Sequence, residues 1–288
     1  MRRTRVLAGA AIAAALTAAT AAAVTSAAVT AATGTPPART MPAVRLLAAA
    51  APAVRYVALG DSYAAGTGAG HYGRTQGGCE RSADAYPEQW ARRHTVASFV
   101  SAACNGATTS GVLSRQMSAV GARTTLVSIT IGGNDAGFSH VMETCVLEWN
   151  SACLHAISAA EAFVAHTLPG RLDATLRAVR AHAPSARVVV VGYPDLYDLS
   201  RSADCIGLTT TKRAALDQGA DDLDGALSAA AARNSDVFAD VRAQFSGHEI
   251  CDPASWLNSV TFPVGNSYHP TAAGQELGYL PVFGAAAG

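Results

Sequence analysis

A chain of 288 residues carries 21 basic and 21 acidic side chains, so its formal net charge is zero. Its first 54 residues hold Arg2, Arg3, Arg5, Arg39 and Arg45 and no acid, which leaves a mildly acidic body without a basic patch and excludes nucleic acid as a partner. The length fits one ordinary domain behind a removable leader, and alanine rather than aromatic side chains (6%) supplies much of the 50% hydrophobic content.

Arg2-Arg3-Thr4-Arg5 precedes an apolar run over residues 6–24. That order predicts a secretory signal peptide over residues 1–33, with several small-residue positions where it could be cut. The run is mostly Ala and Thr rather than Leu or Ile, which weighs against a retained membrane anchor. Residues 34–53 mix Pro, Ala and Thr and predict a flexible lead-in or pro-segment. No second domain or internal repeat is visible, so one domain is expected over residues 54–288. Six cysteines (Cys79, Cys104, Cys145, Cys153, Cys205 and Cys251) are an even number, and in an exported chain they imply disulfides. No CxxC pair exists, which makes a zinc site a poor reading. Sequence alone leaves about 15 pairings open, of which the sequential one is the simplest.

In chain order, residues 56–59 form a short apolar run that predicts a buried strand. Gly60-Asp61-Ser62-Tyr63 follows directly, with small residues and Gly66 behind it. This places Ser62 at the carboxyl end of the first strand, entering a helix; Asp61-Ser62 also reads as a plain helix cap. Residues 66–78 are glycine-rich and predict a surface loop. Residues 84–94 predict a helix with Pro87 in its first turn, and residues 97–100 a short strand. Cys104-Asn105-Gly106-Ala107-Thr108 predicts a turn into a weak helix ending near Leu113. Residues 126–131 are rich in β-branched side chains and close on Gly132-Gly133, the clearest strand of the chain. Residues 158–182 carry apolar side chains at helical spacing and predict one long helix bent at Pro169. Four valines within residues 187–191 predict a buried parallel strand. Residues 209–234 predict a second long helix with Leu216, Leu223 and Leu227 on one stripe. Residues 237–240 predict a last strand, and residues 271–280 a closing helix. Strands alternating with long helices give an α/β fold, a parallel sheet covered on both faces. Right-handed crossovers then bring every strand's carboxyl end to one edge.

Four places at that edge hold polar groups suited to one chemistry. They are Ser62, Gly106, Gly132-Gly133-Asn134-Asp135, and Ser267-Tyr268-His269-Pro270 before the closing helix. A serine hydroxyl becomes a good nucleophile only when a base takes its proton. An imidazole titrating near neutrality can do so and then protonate the leaving alcohol. The oxyanion of the tetrahedral intermediate needs preorganised donors. The Ser62 and Gly106 backbone N–H groups and the Asn134 side chain are the three candidates.

Gly60-Asp61-Ser62, Gly106, Gly133-Asn134-Asp135 and His269-Pro270 resemble, in order, the four blocks of the SGNH (GDSL-type) hydrolases. The likeness spans about residues 54–280. The cysteines and the ending Asn266-Ser267-Tyr268-His269-Pro270 resemble the secreted actinobacterial lipases and esterases of that family. The resemblance implies a three-layer α/β/α sandwich of the flavodoxin-like kind and hydrolysis of carboxylic esters. It also implies the pairing Cys79–Cys104, Cys145–Cys153 and Cys205–Cys251. Many members have Asp three residues before the histidine, where this chain has Asn266. The closest secreted relatives orient the histidine with a backbone carbonyl, here that of Ser267, so the resemblance implies a Ser62–His269 dyad. Asp240 and Asp252 are the outside candidates for a displaced acid.

The other histidines show no paired metal-ligand spacing, and neither metal nor cofactor is expected. Asp221-Asp222 with Asp224 predicts a solvated helix face. Asp61 and Asp135 are expected to hold turns by hydrogen bonds. Tyr193-Pro194 and Trp256-Leu257 are expected either to line an acyl pocket or to pack in the core. The expectation is a secreted, monomeric ester hydrolase acting on small-molecule or lipid esters, in transient contact with lipid surfaces. Its rivals are a carbohydrate deacetylase or an A-type phospholipase of the same family, a peptidase, and a non-catalytic binding module.

Overall fold

The computed structural model describes residues 53–73, 77–201 and 205–288. The expected signal peptide and, apart from Ala53, the lead-in lie outside the described residues. Five strands form one sheet: β1 (Val54–Gly60), β2 (Val96–Ser101), β3 (Leu126–Thr130), β4 (Arg187–Val191) and β5 (Val237–Ala239). Every neighbouring pair is parallel, in the order β2-β1-β3-β4-β5. All five residues of β3 are buried, and so are four of the five in β4. Their Val and Ile side chains explain why: packed on both faces, each contributes roughly 1.5–3 kcal/mol. β2 is an edge strand and stays half exposed.

The helices are α1 (Ser62–Ala65), α2 (Tyr86–Arg93), α3 (Thr109–Gly111), α4 (Phe138–Leu147), α5 (Asn150–His166), α6 (Leu168–His182), α7 (Thr210–Arg233), α8 (Arg242–Phe245) and α9 (Leu280–Ala287). On one face of the sheet Tyr56 of β1 packs against Phe99, Trp90 and Phe283, which gathers β2, α2 and α9. On the other face α5, α6 and α7 pack against one another, with α7 in contact with β4 and β5. Leu168, Leu172 and Leu176 of α6 and Leu227 of α7 are fully buried there. The sheet is therefore the middle of three layers, the expected α/β/α sandwich. The strand order reverses between β1 and β3, and such a switch point opens a crevice at the carboxyl ends of the strands.

Three expectations need correction. The helix expected over 158–182 is two helices, broken at Thr167. Pro169 sits in the first turn of α6, where a residue without an N–H starts a helix rather than bending one. The closing helix begins as a wider π-turn, Gly274–Tyr279, and continues to Ala287 as α9. Asp224 is not on a solvated face. Asp217 and Asp224 are seven residues apart and share the buried stripe of Leu216, Leu223 and Leu227. Only Asp221 and Asp222 face solvent. Burial pushes the Asp224 carboxyl up to about 8 and that of Asp217 up to about 7. Asp217 accepts the N–H groups of Leu196 and Tyr197 at 2.9 and 3.1 Å. Asp224 accepts that of Tyr193 at 2.9 Å. Both acids thus pin the segment that leaves β4.

Disulfides join Cys79–Cys104, Cys145–Cys153 and Cys205–Cys251, the pairing implied by the family resemblance. They close stretches of 25, 8 and 46 residues, which on the chain-entropy account is worth roughly 2.5–4 kcal/mol each.

Candidate active site

β1 and β3 end level, with Gly60 opposite Thr130. Gly60 has φ +128°, and a Cβ there would fall 2.3 Å from the Thr130 carbonyl oxygen. Only glycine lets the two strands close at this point. Asp61 then caps α1, its Oδ1 accepting the Tyr63 N–H at 3.0 Å. The turn is a helix cap, and that cap sets Ser62 at the carboxyl end of β1, where its side chain is buried. As the first residue of α1, Ser62 has an N–H without an intrahelical partner. Its side chain lines a cleft of about 90 Å³ together with that of Asn134.

His269 arrives from the far end of the chain. Tyr268 before it adopts φ +63°, a left-handed conformation that costs a bulky residue energy and here turns the histidine inward. His269 Nε2 lies 2.8 Å from Ser62 Oγ, and Nδ1 lies 2.9 Å from the Ser267 carbonyl oxygen. A carbonyl can only accept, so the Nδ1 position carries the proton and Nε2 presents its lone pair to the Ser62 hydroxyl. Burial pushes the His269 imidazole down to about 4, against the opposing pull of the Ser267 and Gly265 carbonyls. The neutral form is thereby favoured. Asn266 faces elsewhere, its Oδ1 accepting the Tyr72 hydroxyl at 3.1 Å. Asp240 is paired with Arg242. Asp252 accepts the Glu249 N–H at 3.0 Å and lies 3.9 Å from Arg201. Neither acid is engaged with His269.

Asn134 follows β3 in the turn Gly132-Gly133-Asn134. Its side-chain amide donates to the Ala107 carbonyl at 3.0 Å, which leaves a second N–H. Gly106 sits one residue before Ala107 with φ +73°, and among the described residues its N–H has no hydrogen-bond partner. Asp135 clamps the same two turns together, accepting both the N–H (2.8 Å) and the hydroxyl (2.6 Å) of Thr109. Asp61 and Asp135 therefore hold turns, as expected, although Asp135 does so across the site rather than in its own turn.

The cleft continues from Ser62 between α4, α5 and α7, walled by Phe138, Val141, Ile157, Leu216 and Leu223. Tyr193 and Pro194 line it. Trp256 and Leu257 do not: Trp256 stacks on His248 at 3.6 Å and packs against Phe245. Two supports escape the sequence reading altogether. The buried Gln116 side chain bonds both the N–H and the carbonyl of Gly60, each at 2.8 Å. Gln275 donates to the Tyr63 carbonyl at 3.0 Å and accepts the Tyr86 N–H at 2.9 Å. Nothing in the sequence marks them: Gln116 follows Arg115 and Gln275 precedes Glu276, so each reads as one more surface polar residue. Among the described residues no cluster of His, Cys, Asp or Glu is arranged to hold a metal ion.

Residues 58–277 match the model of the GDSL-like lipase/acylhydrolase family. The chain belongs to that family. This GDSL-like hydrolase is 50% identical to the extracellular lipase of Streptomyces rimosus, whose structure superposes with a TM-score of 0.79 over 81% of this chain and 100% of that one. The phospholipase A1 of Streptomyces albidoflavus NA297 is 51% identical, with a TM-score of 0.79 over 81% of this chain and 99% of that one. Lipase 1 of Streptomyces coelicolor is 51% identical over 233 residues, which is 81% of this chain and 86% of the relative. A fold, a family and relatives in agreement make the chain an ester hydrolase.

Proposed function

We propose that the chain is an exported serine hydrolase that cleaves carboxylic esters of lipids through an acyl-Ser62 intermediate. The observation that carries this reading is the bridge made by His269, from Ser62 Oγ at one nitrogen to the Ser267 carbonyl at the other. As Ser62 Oγ attacks the ester carbonyl carbon, its proton passes to His269 Nε2. The carbonyl oxygen becomes an oxyanion, held by the N–H groups of Ser62 and Gly106 and by the Asn134 amide. Collapse breaks the bond to the alcohol, which leaves with the proton from Nε2. Water then attacks the acyl-serine with His269 again as base, and the carboxylic acid departs. The Ser267 carbonyl fixes the tautomer through both steps, which makes the pair a dyad.

An apolar cleft suits a hydrocarbon acyl chain better than a sugar, and the likeness to a phospholipase A1 favours phospholipids among the substrates. Three disulfides suit an oxidising compartment, in line with removal of residues 1–33 as a signal peptide ahead of a lead-in over 34–53. A chain-length series of p-nitrophenyl esters, run beside phosphatidylcholine, tests the substrate. Hydrolysis of medium or long acyl chains is expected. Cleavage of acetyl esters alone would instead identify a deacetylase.

Two further results are expected. Asn266→Ala, Asp240→Ala and Asp252→Ala should each retain more than about a tenth of kcat, against the roughly 10⁴-fold loss when a triad aspartate becomes asparagine. A loss of that size at any one of them, in a folded protein, replaces the dyad by a triad. The acid limb of kcat/KM should fall near pH 4, where His269 takes up its proton, and not near its ordinary value of about 6.5. Above that limb the ring is neutral and accepts from Ser62; below it the ring is charged and cannot. A limb at pH 6.5 in the free enzyme would mean that the imidazole is not desolvated.

A further inference from the structure

The hydroxyl of Tyr193 joins two turns that the proposed chemistry must hold at a fixed separation. Tyr193 follows β4, and its backbone N–H is held by Asp224. The phenol oxygen donates to Asp61 Oδ2 at 2.5 Å and accepts the Gly133 N–H at 3.2 Å. Asp61 adjoins Ser62, and Gly133 adjoins Asn134. A phenol has one proton to donate, and burial together with the Asp61 charge keeps its ionisation well above the ordinary range. Tyr193 therefore remains a donor toward Asp61 while its lone pair serves Gly133. The ring stands edge-on to Tyr63 at 4.9 Å, and the Tyr63 hydroxyl donates to the carbonyl of Tyr268 at 2.6 Å, one residue before His269.

None of these atoms reacts, so the bridge must act through position. The turn that carries Asn134 opens with two glycines, Gly132 at φ +125°, and glycine supplies no conformational preference of its own. Asp135 anchors that turn on the far side of Asn134. On the near side the Gly133 N–H has Tyr193 as its hydrogen-bond partner. We infer that Tyr193 is a positioning residue that sets the spacing between the Ser62 nucleophile and the Asn134 oxyanion donor. This rests on the roles proposed above for Ser62 and Asn134. A misplacement of about 1 Å in such a pair can cost on the order of 10²-fold in rate.

Tyr193→Phe keeps the ring and removes only the bridge. The expected result on a soluble p-nitrophenyl ester is a fall in kcat of about 10- to 100-fold with KM within about twofold. A merely structural tyrosine would act independently of Asn134. A positioning one would not, so Tyr193→Phe in an Asn134→Ala background should cost less than about threefold more. Losses that multiply, an unchanged kcat, or an effect confined to KM overturns the inference. If Tyr193→Phe does not fold, Asp61→Ala removes the carboxylate that the phenol donates to, breaks the bridge from its other end and is judged by the same cycle. An undiminished kcat in Asn134→Ala alone overturns the oxyanion assignment and this inference with it. A diminished one followed by multiplying losses overturns this inference only.

Discussion

Ser62→Ala is expected to lower kcat on the order of 10⁶-fold, with His269→Ala close behind and the double variant hardly worse than either. The reason is geometric. Ser62 Oγ and His269 Nε2 are 2.8 Å apart; in the proposed mechanism the hydroxyl loses its proton to the imidazole as it attacks, so neither group does its part without the other. What survives is the catalysis supplied by substrate binding and the oxyanion donors. Ser62 is a small, buried side chain at the start of α1, and removing its hydroxyl opens no large cavity, so the melting temperature should barely move. His269 is different. Its ring packs against Tyr63 at 5.2 Å and Phe138 at 6.4 Å, and truncation leaves a void between them that costs stability. The melting curve of each variant therefore accompanies its kcat. Losses that multiply in the double variant would dissolve the partnership and assign at least one of the two residues to another role.

The parts of this site carried by local chemistry were legible. β1 and β3 announce themselves by apolar, β-branched runs that stop at glycines, and a strand that stops at a glycine presents the next side chain at the edge of the sheet. This is how Ser62 and Asn134 could be placed without a structure. The Ser267-Tyr268-His269-Pro270 stretch was legible for a similar reason, because proline fixes where a helix can begin. The parts that failed depend on partners distant in sequence. Asp224 reads as solvated beside Asp221 and Asp222, yet helical phase puts it on the stripe of Leu223 and Leu227. The N–H it must satisfy lies 31 residues away. Gln116 reaches Gly60 across 56 residues, and Tyr193 reaches Asp61 across 132. A side-chain hydrogen bond of that range leaves no periodic trace. Trp256 shows the converse: an aromatic near the histidine in sequence, it turns to His248 and Phe245 and takes no part in the cleft.

Asn134→Ala should lower kcat by roughly 10²–10³ with little change in KM, about 2.7–4 kcal/mol of transition-state stabilisation. A carboxylic ester brings a weakly polar carbonyl oxygen to the site, and only attack by Ser62 converts it to a full negative charge. A donor placed for that charge is used in the transition state and hardly before, so its loss appears in kcat. The turn should survive the substitution. The Asn134 amide gives up one bond to the Ala107 carbonyl, worth about 0.5–1.5 kcal/mol. Asp135 still grips Thr109 through two hydrogen bonds, and Tyr193 still holds Gly133. Asn134→Asp sharpens the test. The shape is kept, but the donor becomes a carboxylate, which at neutral pH repels the oxyanion it should stabilise. It should therefore be slower than Asn134→Ala despite its closer resemblance to the parent. If Asn134→Asp proves the faster of the two, or if Asn134→Ala changes KM and leaves kcat intact, Asn134 serves substrate binding in the ground state. The oxyanion would then rest on the Ser62 and Gly106 N–H groups alone.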